Sequence, residues 1–189
     1  MSPRSLLSLS ALTVLLVAGA CGSPIDDEVR ESFRARLGST SFTVYPAFLR
    51  SPAGNGWDDA SAARLAAALL EDGRGQAAVS EARVPITGEV HMNQARIWRE
   101  SAAEFGAWIA AHPPETDYAI LAEYIGVPAE TQAFGVHAYV VDRSGKLVDG
   151  VLLNSHHEGF AAAHPRSAAE CTELLVTVMR EQWAPSAPR

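Results

Sequence analysis

The stretch Val136-His-Ala-Tyr-Val-Val-Asp-Arg-Ser-Gly-Lys-Leu-Val-Asp-Gly-Val-Leu-Leu-Asn-Ser155 decides the fold. Apolar side chains alternate on both sides of Asp142-Arg-Ser-Gly145, a turn sequence, so the segment predicts a β-hairpin. With Ser144 and Gly145 at the turn, His137 pairs near Leu152. Val136, Ala138, Val140, Leu147, Val151 and Leu153 then share one face, and His137, Tyr139, Val141, Val148, Leu152, Asn154 and His156 share the other. The first face is the better core face. The second mixes aliphatic side chains with Tyr, His and Asn. That composition suits a partner or ligand surface if the helices leave it open, and a covered face if the N-terminal helix or the loop at 51–57 lies on it.

Outward from the hairpin, the apolar run 118–125 is a further strand. Residues 93–112 place Trp98, Ala102, Phe105 and Ile109 on one side of a long helix, which Pro113 and Pro114 stop. Residues 77–86 read as another strand, and 60–70 as an alanine-rich helix capped by Asp58 or Asp59. Phe42, Val44 and Phe48 alternate along 41–49, where Pro46 calls for an edge or a bulge. Val29, Phe33 and Leu37 make 26–37 a short amphipathic helix. Ser167 and Glu170, at capping-box spacing, open a last helix that runs to about Trp183. The order β-α-β-α-β-β-β-α predicts an α/β (α+β) fold with a mixed sheet and helices mainly on one face, few enough to leave the other largely uncovered.

The chain starts with an address. Arg4 precedes an apolar run of 13 residues at 6–18, which is signal-segment length and short of the roughly 20 needed to span a bilayer. It ends in Val17-Ala-Gly-Ala-Cys21, which resembles the lipobox of bacterial lipoproteins, with Ala18 where Leu is commoner. That resemblance implies cleavage after Ala20 and acylation of Cys21. Gly22 and Ser23 lack the inner-membrane retention aspartate, which implies an outer membrane facing the periplasm where one exists. The expected organisation is a signal peptide at 1–20, a tether and short helix at 21–40, one globular domain at 41–184 and a loose tail at 185–189. With Cys21 acylated, Cys171 has no disulfide partner and reads as a buried small hydrophobe.

Composition bounds the function. The 48% hydrophobic and 20% charged residues describe a globular chain, and the formal charge of −7 becomes −8 once Arg4 is removed. Lys146 is the only lysine, and the arginines are scattered. Nucleic acid is therefore not an expected partner, because phosphate binding needs a basic stripe.

In order of elements, the chain resembles the periplasmic α/β module of the Tol-system propeller protein's N-terminal domain, the curli-secretion channel lipoprotein and the lipoprotein activators of penicillin-binding proteins. The matching pieces are Phe42-Thr-Val-Tyr-Pro-Ala-Phe48, the helix at 60–70, Asp117-Tyr-Ala-Ile-Leu-Ala-Glu123 and Ala138-Tyr-Val-Val-Asp-Arg-Ser-Gly-Lys-Leu-Val148. The likeness spans about 41–183. It implies a non-enzymatic module that binds other envelope proteins or itself, with no catalytic residues and no cofactor to carry over.

Leu153-Asn-Ser-His-His-Glu-Gly-Phe160 stands outside that pattern. His137 and His156 lie too far apart along the hairpin to share a metal ion at bond lengths near 2 Å. The remaining metal set is His156, His157, Glu158 and His164, gathered by the Gly159 loop. An alternative function follows from it: a small-molecule or metal-binding protein, extending to a hydrolase, using Asn154, His156, His157 and Glu158. The candidate binding surface is His137, Tyr139, Asn154, His156 and His157. Nothing else suggests catalysis, since the chain lacks a Gly-x-Ser-x-Gly elbow, and Gly54-Asn-Gly56 is too short for a phosphate loop.

Overall fold

The computed structural model describes residues 25–51, 53–88 and 93–184. Their elements are α1 (Asp27–Ala35), β1 (Ser41–Ser51), β2 (Gly54–Asp58), α2 (Asp59–Glu71), β3 (Gln76–Val79), α3 (Gln94–Ala111), β4 (Tyr118–Ile125), β5 (Gly135–Asp142), β6 (Leu147–Leu153), α4 (Glu158–Ala163) and α5 (Ala168–Gln182). The sheet runs β2-β1-β4-β5-β6, and β3 pairs with β1 on the same side as β2. It is a mixed sheet, because β1 is parallel to β3 and β4 while the β1–β2, β4–β5 and β5–β6 pairs are antiparallel. The α/β expectation therefore holds.

The hairpin folds in the expected register, with His137 opposite Leu152. A bulge between Val140 and Val141 corrects the face assignment near the turn. Val148 joins the core with Val136, Ala138, Val140, Val151 and Leu153, while Leu147 moves to the opposite side with Tyr139 and Val141. One inserted residue inverts the alternation beyond it. A second register shift falls between Tyr45 and Phe48 in the β1–β4 pair, flanking Pro46, whose missing N–H cannot join a regular ladder.

Both faces are covered, which corrects the expectation of an open one. Phe33 of α1, Leu65 and Leu69 of α2, and Leu175 and Met179 of α5 pack on the face of Val44, Ile120 and Val140. On the other face α3 lays Trp98, Ala102, Phe105 and Ile109 over Tyr45, Leu121 and Tyr139. The N-terminal helix does not cover it, and from the 51–57 stretch Trp57 packs at its margin, edge-on to Phe48. Two glycine contacts seat α3: a Cβ on Gly106 would run into the Gly145 carbonyl in the hairpin turn, and one on Gly150 would meet the Trp98 ring at 2.6 Å. Gly145 also sits at φ 81°, where only glycine is unstrained. Gly106→Ala is expected to cost about 1–3 kcal/mol, because backbone faces backbone there and no side chain can yield; urea unfolding measures it.

Three further elements differ from expectation. Part of the 51–57 loop is strand, with Trp57 opposite Phe48. Of the predicted 77–86 strand only 77–79 pair, with Gln76 ahead of them. After Ser80 donates to the Val44 carbonyl at 2.9 Å, the chain crosses to the α3 face, where Val84 and Ile86 are buried. Their alternation thus reflects burial without a ladder. The short α4 was not anticipated. The final helix begins with the predicted Ser167–Glu170 capping box.

Candidate functional site

The proposed binding-surface residues fall into two separate places. His137 and Tyr139 are both 0% exposed beneath α3 and present nothing to a partner, because α3 closes the face they were expected to display. Asn154, His156 and His157 lie past the end of β6. Asn154 Oδ1 accepts the His156 N–H at 2.9 Å, and His157 is the N-cap of α4, its Nδ1 accepting from the Phe160 N–H at 3.4 Å. The His156 ring is exposed, and His164 ends α4 in the left-handed conformation. Among the described residues no three His, Cys, Asp or Glu side chains are placed to hold a metal ion, so His156, His157, Glu158 and His164 form no such group. Cys21 and its signal segment, like the 185–189 tail, lie outside the described residues.

Beneath α3 the structure assembles a charged network that sequence reading missed. Glu123 and His137 are directly opposite across the β4–β5 pair, Tyr139 is two residues along on the same face, Arg50 comes from β1, and Ser101 hangs down from α3. All five are buried. Arg50 donates through Nε to Glu123 Oε1, through Nη1 to the Gly88 carbonyl and through Nη2 to Ser101 Oγ at 3.1 Å. Ser101 Oγ also donates to Glu123 Oε1 at 3.3 Å, and the Tyr139 hydroxyl donates to Glu123 Oε2. His137 Nδ1 lies 3.5 Å from Glu123 Oε2 and 3.3 Å from the Tyr139 oxygen. Since the phenolic proton is committed to Glu123, both atoms facing Nδ1 are acceptors, which puts the ring proton on Nδ1.

The electrostatics follow from this geometry. Burial drives the Glu123 carboxyl upward, but His137, Arg50 and Tyr139 outweigh it and hold the group below its ordinary 4.5. Burial and the neighbouring Glu123 charge push the Tyr139 phenol well above its usual range. With both Glu123 oxygens engaged, the arrangement acts as a clamp joining β1, β4, β5 and α3. The sequence hint was a charged residue inside the apolar run of β4, alone among seven neighbours that are all buried.

The two sheet edges are built differently. At β6, Asp149 is 1% exposed and receives Arg30 Nε at 3.3 Å and Arg34 Nε at 3.1 Å from α1, together with Trp183 Nε1 at 2.9 Å. Trp98 donates to the Val151 carbonyl at 2.9 Å. The chain wraps this edge: Ile25 belongs to the core under α3 and Phe33 to the opposite core. An inward charge and a covering helix are the devices that stop an edge from recruiting another strand. At the other edge, no further strand pairs with β2 or β3 among the described residues. Val79 there is 46% exposed and Trp57 40%.

Among the described residues no helix is long and apolar enough to cross a membrane. No family model and no curated protein sequence matches this chain. Among solved structures, the PelC dodecamer from Paraburkholderia phytofirmans in space group P6 aligns at TM-score 0.41 and 14% identity, over 79% of this chain and 91% of that one. A point variant of that dodecamer in space group C2 aligns at TM-score 0.40, with the same identity and coverage.

Proposed function

We propose that this chain is an exported lipoprotein, anchored through Cys21, whose domain is a non-enzymatic module contacting other envelope proteins or further copies of itself. The observation that carries the contact reading is the asymmetry of the sheet. The β6 edge is sealed by α1, Asp149 and Trp98, while at the β2–β3 edge no further strand pairs among the described residues, beside exposed Val79 and Trp57. An open strand edge with apolar side chains is a template for pairing with another chain. The address at 1–21 supports placement in the envelope.

Two measurements test the two halves. Palmitate is expected to label the wild type and not Cys21→Ala, and label retained by the variant overturns the anchor. A photo-crosslinking amino acid at Val79 is expected to give protein adducts in intact cells, while one at the exposed Ala107 of α3 gives none. Loss of those adducts on adding Ala78→Lys, which places a charge on the edge, fits edge pairing. Equal crosslinking at both positions overturns it.

A further inference from the structure

We propose that the α1–β6 edge of the domain faces the lipid surface and that the β2–β3 edge points away from it, toward protein partners. This deepens the lipoprotein reading and rests on it. The decisive fact is where Ile25 sits. Ile25 is only 3% exposed, inserted in the core beneath α3, and Asp26 immediately caps α1. Between Cys21 and Ile25 stand Gly22, Ser23 and Pro24 alone. Four peptide units reach at most about 14 Å when fully extended. Acyl chains on Cys21 hold that residue at the headgroup level, so Ile25 stays within this radius.

Ile25 is also fixed to one side of the molecule. Within the following nine residues α1 crosses the β6 edge, where Arg30 and Arg34 grip Asp149 and Phe33 enters the far core. A domain pivoting about Ile25 therefore keeps the α1–β6 edge near the lipid in every orientation. Four strand spacings separate β6 from β2, roughly 19 Å, so the β2 edge approaches the bilayer only if the sheet lies flat. Charge opposes that posture. The chain beyond residue 20 carries 14 basic against 22 acidic residues, and an anionic leaflet repels it. The edge sealed against other strands is the one turned to the membrane, and the edge left open is the one a partner can reach.

The test uses the full acylated chain in phosphatidylcholine–phosphatidylglycerol vesicles that carry a nitroxide on the lipid headgroup. A fluorophore is attached at Asp27→Cys in α1 or at Asn55→Cys in β2, both exposed positions. Buried Cys171, its thiol pushed up to about 12, does not compete for the label. Quenching is expected to be severalfold greater at 27 than at 55. Inserting about twelve Gly/Ser residues after Ser23, with a root-mean-square reach of roughly 19 Å, is expected to erase the difference. Equal or reversed quenching with the natural tether, in protein that still floats with the vesicles, overturns the orientation alone. Failure of the chain to acquire acyl groups or to float overturns the lipoprotein reading and the orientation with it.

Discussion

Replacing Glu123 with leucine is expected to lower stability by about 3–5 kcal/mol, a fall in Tm of roughly 10 °C, because it strands the Arg50 guanidinium in the core. Arg50 is 2% exposed, and its remaining partners, the Gly88 carbonyl and Ser101, are neutral acceptors. Tyr139 and His137 lose their acceptor at the same time. The double variant Arg50→Met/Glu123→Leu is expected to recover most of the loss, since a buried pair replaced by apolar side chains of similar volume is often neutral. Urea unfolding of the four proteins forms a double-mutant cycle. A single variant within 1 kcal/mol of wild type, or a double variant as unstable as the single, refutes the clamp.

The same network sets an acid limb. The Glu123 carboxyl in the folded state sits below its ordinary 4.5, so the unfolded chain binds the proton first as pH falls. Its contribution is fully present above the unfolded value and is lost as pH drops through the folded one. In Glu123→Gln this part of the decline below pH 4.5 is expected to disappear, and unfolding free energies between pH 3 and 6 check it. An unchanged slope would place the acid sensitivity elsewhere.

Phe33→Ala is the second large effect, about 3–5 kcal/mol, and its consequence is local as well as global. Phe33 is 0% exposed, edge-on to Tyr118 at 4.9 Å and to Trp183 at 5.4 Å between ring centres. It is the one fully buried residue in α1. Without it α1 keeps the half-buried Val29 and the ion pairs of Arg30 and Arg34 to Asp149, from arginines that are 23% and 33% exposed. Hydrogen exchange is expected to accelerate first in α1 and then along β6, and the variant should self-associate through the uncovered edge. Uniform acceleration across the domain, with α1 no faster than α5, would show that α1 is not the separate cover described here.

Particular residues show where sequence reading succeeds. The hairpin register, the capping box at Ser167 and the bulge at Pro46 were all legible, because each depends on residues within a few positions of one another. The burial of Cys171 was legible for the same reason, as helical spacing places it with Leu175 and Val178. The later part of the 77–86 segment misled because Val84 and Ile86 alternate as a strand would, although what buries them is the core they share with α3.

By itself the sequence determined most of the local grammar: the hairpin, the strand at 118–125, the long helices and their caps, and the N-terminal pattern that suggests export. These depend on backbone preference, side-chain periodicity and chain order, all carried by neighbouring residues. Only the tertiary structure decided that α3 covers His137 and Tyr139, that Arg50 meets Glu123 from 73 positions away, and that one sheet edge is sealed while the other carries no further strand among the described residues. Those outcomes turn on backbone contacts such as Gly106 against Gly145 and on charges that find partners only once strands distant in the chain lie side by side, and no local pattern encodes them.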